Sequence, residues 1–186
     1  MVQNCGDAPS NTASSAITYT PTDSDLNKAL GDWLKTVLPA PFTIRQGQQN
    51  RTASPIGPYC VMQIVTTRLL ATNGWSYTDS ARVVTELREV TFQVNTFGAG
   101  AGDAVKQAAA LWRDFYTTDW CRANAAPFSP LVAMEPRQSP FSNAENQYED
   151  AWSVDLRMQV NYQRIIPQQF ASEVVVTTIE ADLPTT

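Results

Sequence analysis

The 186-residue chain predicts an α+β fold, a mostly antiparallel sheet with two helices packed on one face. Two observations carry this. First, Trp152, Val154, Leu156, Met158, Val160 and Tyr162 alternate with Ser153, Asp155, Arg157, Gln159, Asn161 and Gln163, the signature of a long strand with one buried face. Second, two helical apolar stripes are separated by several β-rich runs instead of alternating with single strands, so the sheet is antiparallel rather than doubly wound.

In chain order, residues 1–20 read as a flexible arm, rich in Ser, Asn, Ala and Thr through residue 15, with Ile17 and Tyr19 spaced for a short edge strand. Residues 21–186 then form a single domain. Thr22 is placed to cap a helix, with Asp25 in a capping-box position. Leu26, Ala29, Leu30, Trp33, Leu34 and Val37 make its apolar stripe, and Pro39 and Pro41 stop it. Phe42–Gln46 is short and β-like, and Tyr59–Leu70 predicts a mostly buried strand. Ala71–Ser80 predicts a long loop around the turn signal Asn73-Gly74. Arg82–Phe97 returns as a strand whose alternation slips near Arg88 and Glu89, where a bulge is expected. After the glycine-rich Gly98–Gly102, Asp103 is placed to cap a second helix with Ala104, Val105, Ala108, Leu111, Trp112 and Phe115 on its apolar face. Leu131–Met134 is a short strand, Glu135–Asp150 a polar ribbon without regular period, and Glu173–Asp182 a last strand.

A net charge of −5 leaves no basic surplus to displace counterions, which argues against binding nucleic acid through its phosphates. The absence of histidine removes Ser-His-Asp and Cys-His catalysis and His-ligated zinc. Cys5, Cys60 and Cys121 form no CxxC pair, a usage that fits a reducing cytoplasm, and Asn50-Arg51-Thr52 is then a chance match to a glycosylation acceptor. No apolar run reaches membrane-span length, and Met1–Ser15 lacks the n- and h-regions of a signal peptide.

Gly98-Ala99-Gly100-Ala101-Gly102-Asp103 sits between a strand and a helix as a dinucleotide fingerprint would. It fails at the third glycine, where Asp103 puts a carboxylate in the pyrophosphate's place. Glu135, Glu145, Glu149, Asp150 and Asp155 could form a hard-cation or acid/base site, but the ribbon has no glycine turn, and Arg137, Arg157 and Arg164 are interspersed as ion-pair partners. No cofactor or metal is therefore expected. Aromatic, Arg and amide residues together favour a protein interface. The expected contact residues are Arg137, Gln138, Phe141, Glu145, Gln147, Tyr148, Glu149, Asp155, Arg157 and Gln159. Trp75 and Tyr77 either pack beneath their own loop or dock on a partner.

The succession DLNKALGDWLKTVLP, RQGQQNRTASPIGPYCVMQIV, RLLATNGWSYTD, VTFQVNTFGAGAGDAVKQAAALWRD and EPRQSPFSNAENQYEDAWSVDLRMQVNYQRIIPQQF resembles the neck terminator proteins of tailed bacteriophages, over residues 23–183. Its most specific pieces are QGQQN with the turn Pro55–Tyr59, Trp112-Arg113-Asp114, and Pro136-Arg137-Gln138 leading to Gln147-Tyr148-Glu149. The resemblance implies a non-enzymatic virion protein with a tail-terminator-like fold, assembled in the host cytoplasm and located at the head-tail junction. It implies a homo-oligomeric, hexameric ring that caps the tail tube protein, meets the head-tail connector protein and, where present, the tail sheath, and lets DNA pass through its lumen without specific binding. No membrane association is implied. The rival readings are a tail-tube or baseplate subunit, and a small-ligand-binding domain or enzyme built on Glu145, Glu149 and Asp150.

Overall fold

The computed structural model describes residues 16–49, 55–139, 141–142 and 148–168, with the backbone alone at Phe141, Ser142 and Tyr148. Its frame is one antiparallel ladder. β5 (Ala81–Phe97) and β10 (Ala151–Pro167) pair along 17 residues each, from Ala151 opposite Phe97 to Pro167 opposite Ala81, with no register shift. The free side of β10 takes β7 (Arg137–Gln138), β6 (Phe128–Ala133) and β1 (Thr18–Thr20) in turn. The free side of β5 takes β3 (Tyr59–Leu69) and then β4 (Gly74–Tyr77), and the short β2 (Thr43–Gln46) joins β3 in parallel. A separate hairpin pairs β8 (Phe141–Ser142) with β9 (Tyr148–Glu149).

The even-numbered residues of the ladder face the helices. Val90, Phe92 and Val94 from β5 and Val154, Leu156, Met158 and Val160 from β10 are buried against Leu26, Leu30, Trp33 and Leu34 of α1 (Asp23–Val37) and Val105, Ala108 and Trp112 of α2 (Ala101–Trp112). Trp33 and Trp112 meet edge to face, 4.9 Å apart at 82°. Each such large apolar side chain contributes about 1.5–3 kcal/mol when fully buried, so this layer holds helices and sheet together.

The architecture is α+β as predicted, with differences in detail. The predicted second helix is two: Asp114 adopts an extended backbone, its side chain accepts from Tyr116 N at 2.8 Å, and it caps a separate α3 (Phe115–Ala123). α2 starts from Gly100 at φ +80°, a conformation glycine adopts without penalty, while Asp103 lies in the first turn rather than at the cap. Cys60 and Met62 are buried, but β3 is exposed from Val65 onward, so only its first half is a core strand. The bulge falls on β3, between Ile64 and Thr66, and not at Arg88 and Glu89. Gly74–Tyr77 is a strand, and the chain reverses later, at Thr78–Ala81, where Thr78 N donates to Ala81 O at 2.8 Å. The predicted strand Glu173–Asp182 lies outside the described residues.

The capping box at Thr22 is present in full: Asp25 N donates to Thr22 Oγ1 at 3.2 Å and Thr22 N to Asp25 Oδ2 at 2.8 Å. Replacing Thr22 by Ala should cost about 1 kcal/mol in chemical denaturation, with the fold unchanged by circular dichroism. Gly102 lets α2 pack closely on the Trp152 indole, because a Cβ there would lie 2.9 Å from Trp152 Nε1. Alanine gains about 1 kcal/mol of helix propensity there, yet overpacking a rigid indole costs about 1–3 kcal/mol. Gly102→Ala is therefore expected to lower the denaturation midpoint rather than raise it.

Candidate functional site

The odd-numbered residues of β10 lie on the face away from the helices, and four of the predicted contact residues, Arg137, Asp155, Arg157 and Gln159, gather there. Arg137, opposite Ser153, donates from Nη2 to Asp155 Oδ2 at 3.2 Å. Glu89 on β5, opposite Gln159, takes Arg68 at 3.2 Å and Arg157 at 3.8 Å. Gln159 Nε2 donates to Asn161 Oδ1, and Gln63 Nε2 to Gln93 Oε1, each at 3.2 Å. The outcome is a flat mosaic of amides and paired charges, and Asp155 Oδ1 and Arg157 Nε are buried in it with no hydrogen-bond partner. A buried polar atom left unpaired costs about 1–3 kcal/mol, so this mosaic is not optimised for the stability of the subunit alone.

The ribbon that precedes β10 is stitched to it. Ser139 N donates to Ala151 O and Gly98 N to Asp150 O, both at 2.9 Å. Asp150 Oδ1 accepts from Trp152 Nε1 at 2.9 Å and from Gln138 Nε2 at 3.4 Å, while Lys106 Nζ sits 4.8 Å from the Trp152 ring centroid. Phe141 pairs with Glu149, and Tyr148 with Ser142, in the β8–β9 hairpin. Glu145 and Gln147 lie outside the described residues. Asp150 and Asp155 are engaged by different partners, and among the described residues no three acidic or cysteine side chains gather to hold a metal. Trp75 and Tyr77 are not part of this surface. Trp75 stands opposite Val84, which pairs with Arg164, five residues along β10 from Gln159 and so about 17 Å beyond the near end of that surface. They also face the helix side of the sheet.

The other distinctive motifs have structural work to do. Trp112 Nε1 donates to Arg157 O at 3.1 Å, and Arg113 holds Ala133 O through Nε and Nη2, at 2.9 and 2.6 Å, and Glu135 at 2.8 Å. Within QGQQN, Gly47 N donates to Met62 O at 2.7 Å, and a Cβ on Gly47 would come within 3.0 Å of Gln63 Oε1. A family profile described as phage neck terminator protein matches residues 24–183. The chain belongs to the phage neck terminator family. It is a virion component with a terminator role. No curated protein matches it. Among solved structures it is similar to the sheath/tube terminator of an extracellular contractile injection system, determined in the extended state by cryo-electron microscopy. Identity is 12% and the TM-score 0.41, over 90% of this chain and 66% of that one, just under two thirds of its length. In this neck terminator no helix among the described residues is long and apolar enough to cross a membrane.

One group in this terminator escapes a reading by periodicity. Glu86 is buried on the helix-side face, opposite Tyr162, where Arg88 Nη2 donates to it at 2.7 Å and Arg164 Nη1 at 2.6 Å. Tyr19 of β1 stacks on Tyr162 at 5.3 Å and lies beneath the Arg164 guanidinium at 5.1 Å. The only sequence signal was a carboxylate in phase with Val84, Val90 and Phe92.

The hydrogen bonds from Arg88 and then Arg164 hold the Glu86 carboxyl below its ordinary range. A depressed folded pKa contributes stability that is full above the unfolded-state value and is lost as pH falls through the folded one. Both arginines are about a third exposed, so the contribution is set at about 2 kcal/mol rather than the larger figure for a sealed pair. Glu86→Gln should thus be about 2 kcal/mol less stable than wild type at neutral pH. The difference should vanish below the usual carboxylate range, as read from urea midpoints across a pH series.

Proposed function

We propose that this chain is a non-enzymatic ring subunit that caps the tail tube and joins it to the head connector, with a lumen through which DNA passes unbound. In this reading residues 21–186 act as one domain behind the arm 1–20, and six copies close the ring. The observation that carries it, alongside family membership, is the polar face built by Arg137, Asp155, Arg157 and Gln159, on which the two arginine side chains remain accessible to a neighbour. Gln138, Phe141, Glu145, Gln147, Tyr148 and Glu149 extend the same contact along the ribbon.

A closed ring needs two unlike surfaces on each subunit. The second is supported by the exposed apolar residues Phe115, Leu131, Val132 and Met134 on α3, β6 and the loop after it; Phe115 is 80% exposed although it opens a helix. Each contact is modest, and symmetry multiplies it. The acidic chain suits a channel that must not grip phosphates. Trp75 and Tyr77 belong to a separate contact surface.

The test is assembly on purified tail tubes, followed by native mass and electron microscopy. A closed ring at the tube end, with no growth beyond it, is the expected result, and self-stacking into long tubes would instead identify a tube protein. Charge reversal at Arg137 and Arg157 together should reduce ring occupancy at least tenfold while leaving the monomer's melting temperature within a few degrees. Undiminished assembly by that double variant would remove this face from the contact. Amide replacements of Glu145, Glu149 and Asp150 should weaken tube capping, because Glu145 and Glu149 stand in the proposed contact; loss of a small-ligand signal with capping unchanged would point to the enzyme or binding-domain reading.

A further inference from the structure

Past Glu89 the β5–β10 ladder runs on beyond the helices as a four-stranded wing, in the order β4, β5, β10, β1, and all three of its pairings are antiparallel. β4 and β1 lie at the same level of it. Trp75 stands opposite Val84, Val84 opposite Arg164 and Arg164 opposite Tyr19, so one row crosses the wing from edge to edge. The next row is Ser76, Val83, Ile165 and Thr18. Among the described residues no strand pairs with the outer side of β4 or of β1.

Neither edge is protected. Exposed edge strands are ordinarily blunted by charge, proline or a bulge. Gly74-Trp75-Ser76-Tyr77 and Thr18-Tyr19-Thr20 carry none of these, and every one of their residues is exposed. The bonds at the tip of the wing fix which backbone groups point outward. Gln168 N donates to Ser80 O at 3.0 Å and Thr78 N to Ala81 O at 2.8 Å. Bonded and open pairs alternate along an antiparallel ladder, so counting from these two bonds makes Val84 and Arg164 a bonded pair and Trp75–Val84 and Tyr19–Arg164 open ones. The N–H and C=O of Trp75 and of Tyr19 therefore point away from the wing, at opposite ends of one row.

Four strands bring this alternation back to its starting phase. A second copy set head to tail, with its β1 beside β4 of the first, runs antiparallel to that strand and meets Trp75 with Tyr19 as a bonded pair and Ser76 with Thr18 as an open one. Trp75 is 68% and Tyr19 42% exposed on the shared helix-side face, and Tyr19 already stacks on Tyr162 at 5.3 Å, so the indole extends an existing stack. Pairing of β4 with another copy's β4 would leave both β1 edges open and could not close a ring, whereas the head-to-tail pairing occupies both edges of every copy.

We propose that neighbouring copies join edge to edge through the wing, β1 of each completing the sheet beside β4 of the next. The pairing rests on the ring reading above and adds a backbone contact to the side-chain surfaces named there.

Disulfide trapping in the full-length chain on tail tubes tests it. Thr18→Cys and Ser76→Cys are combined in a Cys5→Ser background; Cys60 and Cys121 stay unreactive because burial pushes their thiols up to about 12 and about 11. Within one chain the two new cysteines are three strands, about 14 Å, apart and cannot bridge, whereas an open pair between copies brings its Cα atoms to about 4.5 Å. Mild oxidation should give a ladder of covalent oligomers on denaturing gels that ends at the size of the closed ring, and a mixture of the two single variants should give dimers only. Adding Trp75→Pro removes an outward N–H that the subunit's own ladder does not use, so it should cut cross-linking several-fold with the circular dichroism unchanged. Rings that form by electron microscopy yet give no cross-link would overturn the edge pairing and leave the ring reading standing, while the absence of both would overturn the two together. Dimers from Ser76→Cys alone would also overturn it, because β4 would then pair with β4.

Discussion

The unbroken pairing of β5 with β10 is the constraint on which the remaining structure depends. Because side chains alternate strictly and no residue is inserted, every even-numbered position from Trp152 to Ile166 keeps one side of the sheet and every odd one keeps the other. A single bulge in either strand would carry the outer polar residues into the core, or Val154 and Leu156 out of it. The irregularities that a long twisted sheet requires are instead placed in its neighbours, in β3 between Ile64 and Thr66, where the strand is already leaving the core, and in β6 at Leu131, opposite the step from Arg157 to Met158. The ladder is therefore both scaffold and ruler. It sets which residues a neighbour can touch and how far apart the contact surfaces lie.

The helices cover only part of this ruler, and that division explains what was legible in the sequence. Where α1 and α2 lie on the sheet, hydrophobic periodicity is complete, so the long strand, the α1 stripe and its capping box could all be read directly. Past Glu89 the even positions hold Glu86 and Arg88, and the pattern looks like a register slip. It is a change of covering layer, not of register: a carboxylate between two arginines replaces apolar burial, and a period-based reading cannot distinguish the two. The same limitation hid β4. Asn73-Gly74 is a strong turn signal in isolation, yet the longer ladder decides where the chain reverses, and it does so at Thr78–Ala81.

The second helix shows a different limit. Its apolar face runs on through Phe115, and only the backbone reveals that Asp114 leaves the helix and caps the next one. The break sits between residues that each fasten another element: Trp112 to the β10 backbone at Arg157, Arg113 to the end of β6 at Ala133, and Thr117 to Leu111 O. A continuous helix would carry its next turn away from β6, so the kink is what lets one short sequence tie α2, α3, β6 and β10 together. Motifs that identify the family are here joints of the fold, not points of chemistry.

The site residues divide along the same line. Arg137, Gln138, Asp155, Arg157 and Gln159 come together because β7 and β10 are neighbours, and their alternation already placed most of them on one face. Trp75 and Tyr77 shared only their composition with that group, and composition carries no distance. They lie at the far end of the ladder on its opposite face, where the sheet outruns its helices. A sheet that ends its apolar layer before it ends its strands must either be polar there or be covered by something. Here the layer is completed by charge pairing and ring stacking: Glu86 is buried between Arg88 and Arg164, and Tyr19 stacks on the buried Tyr162.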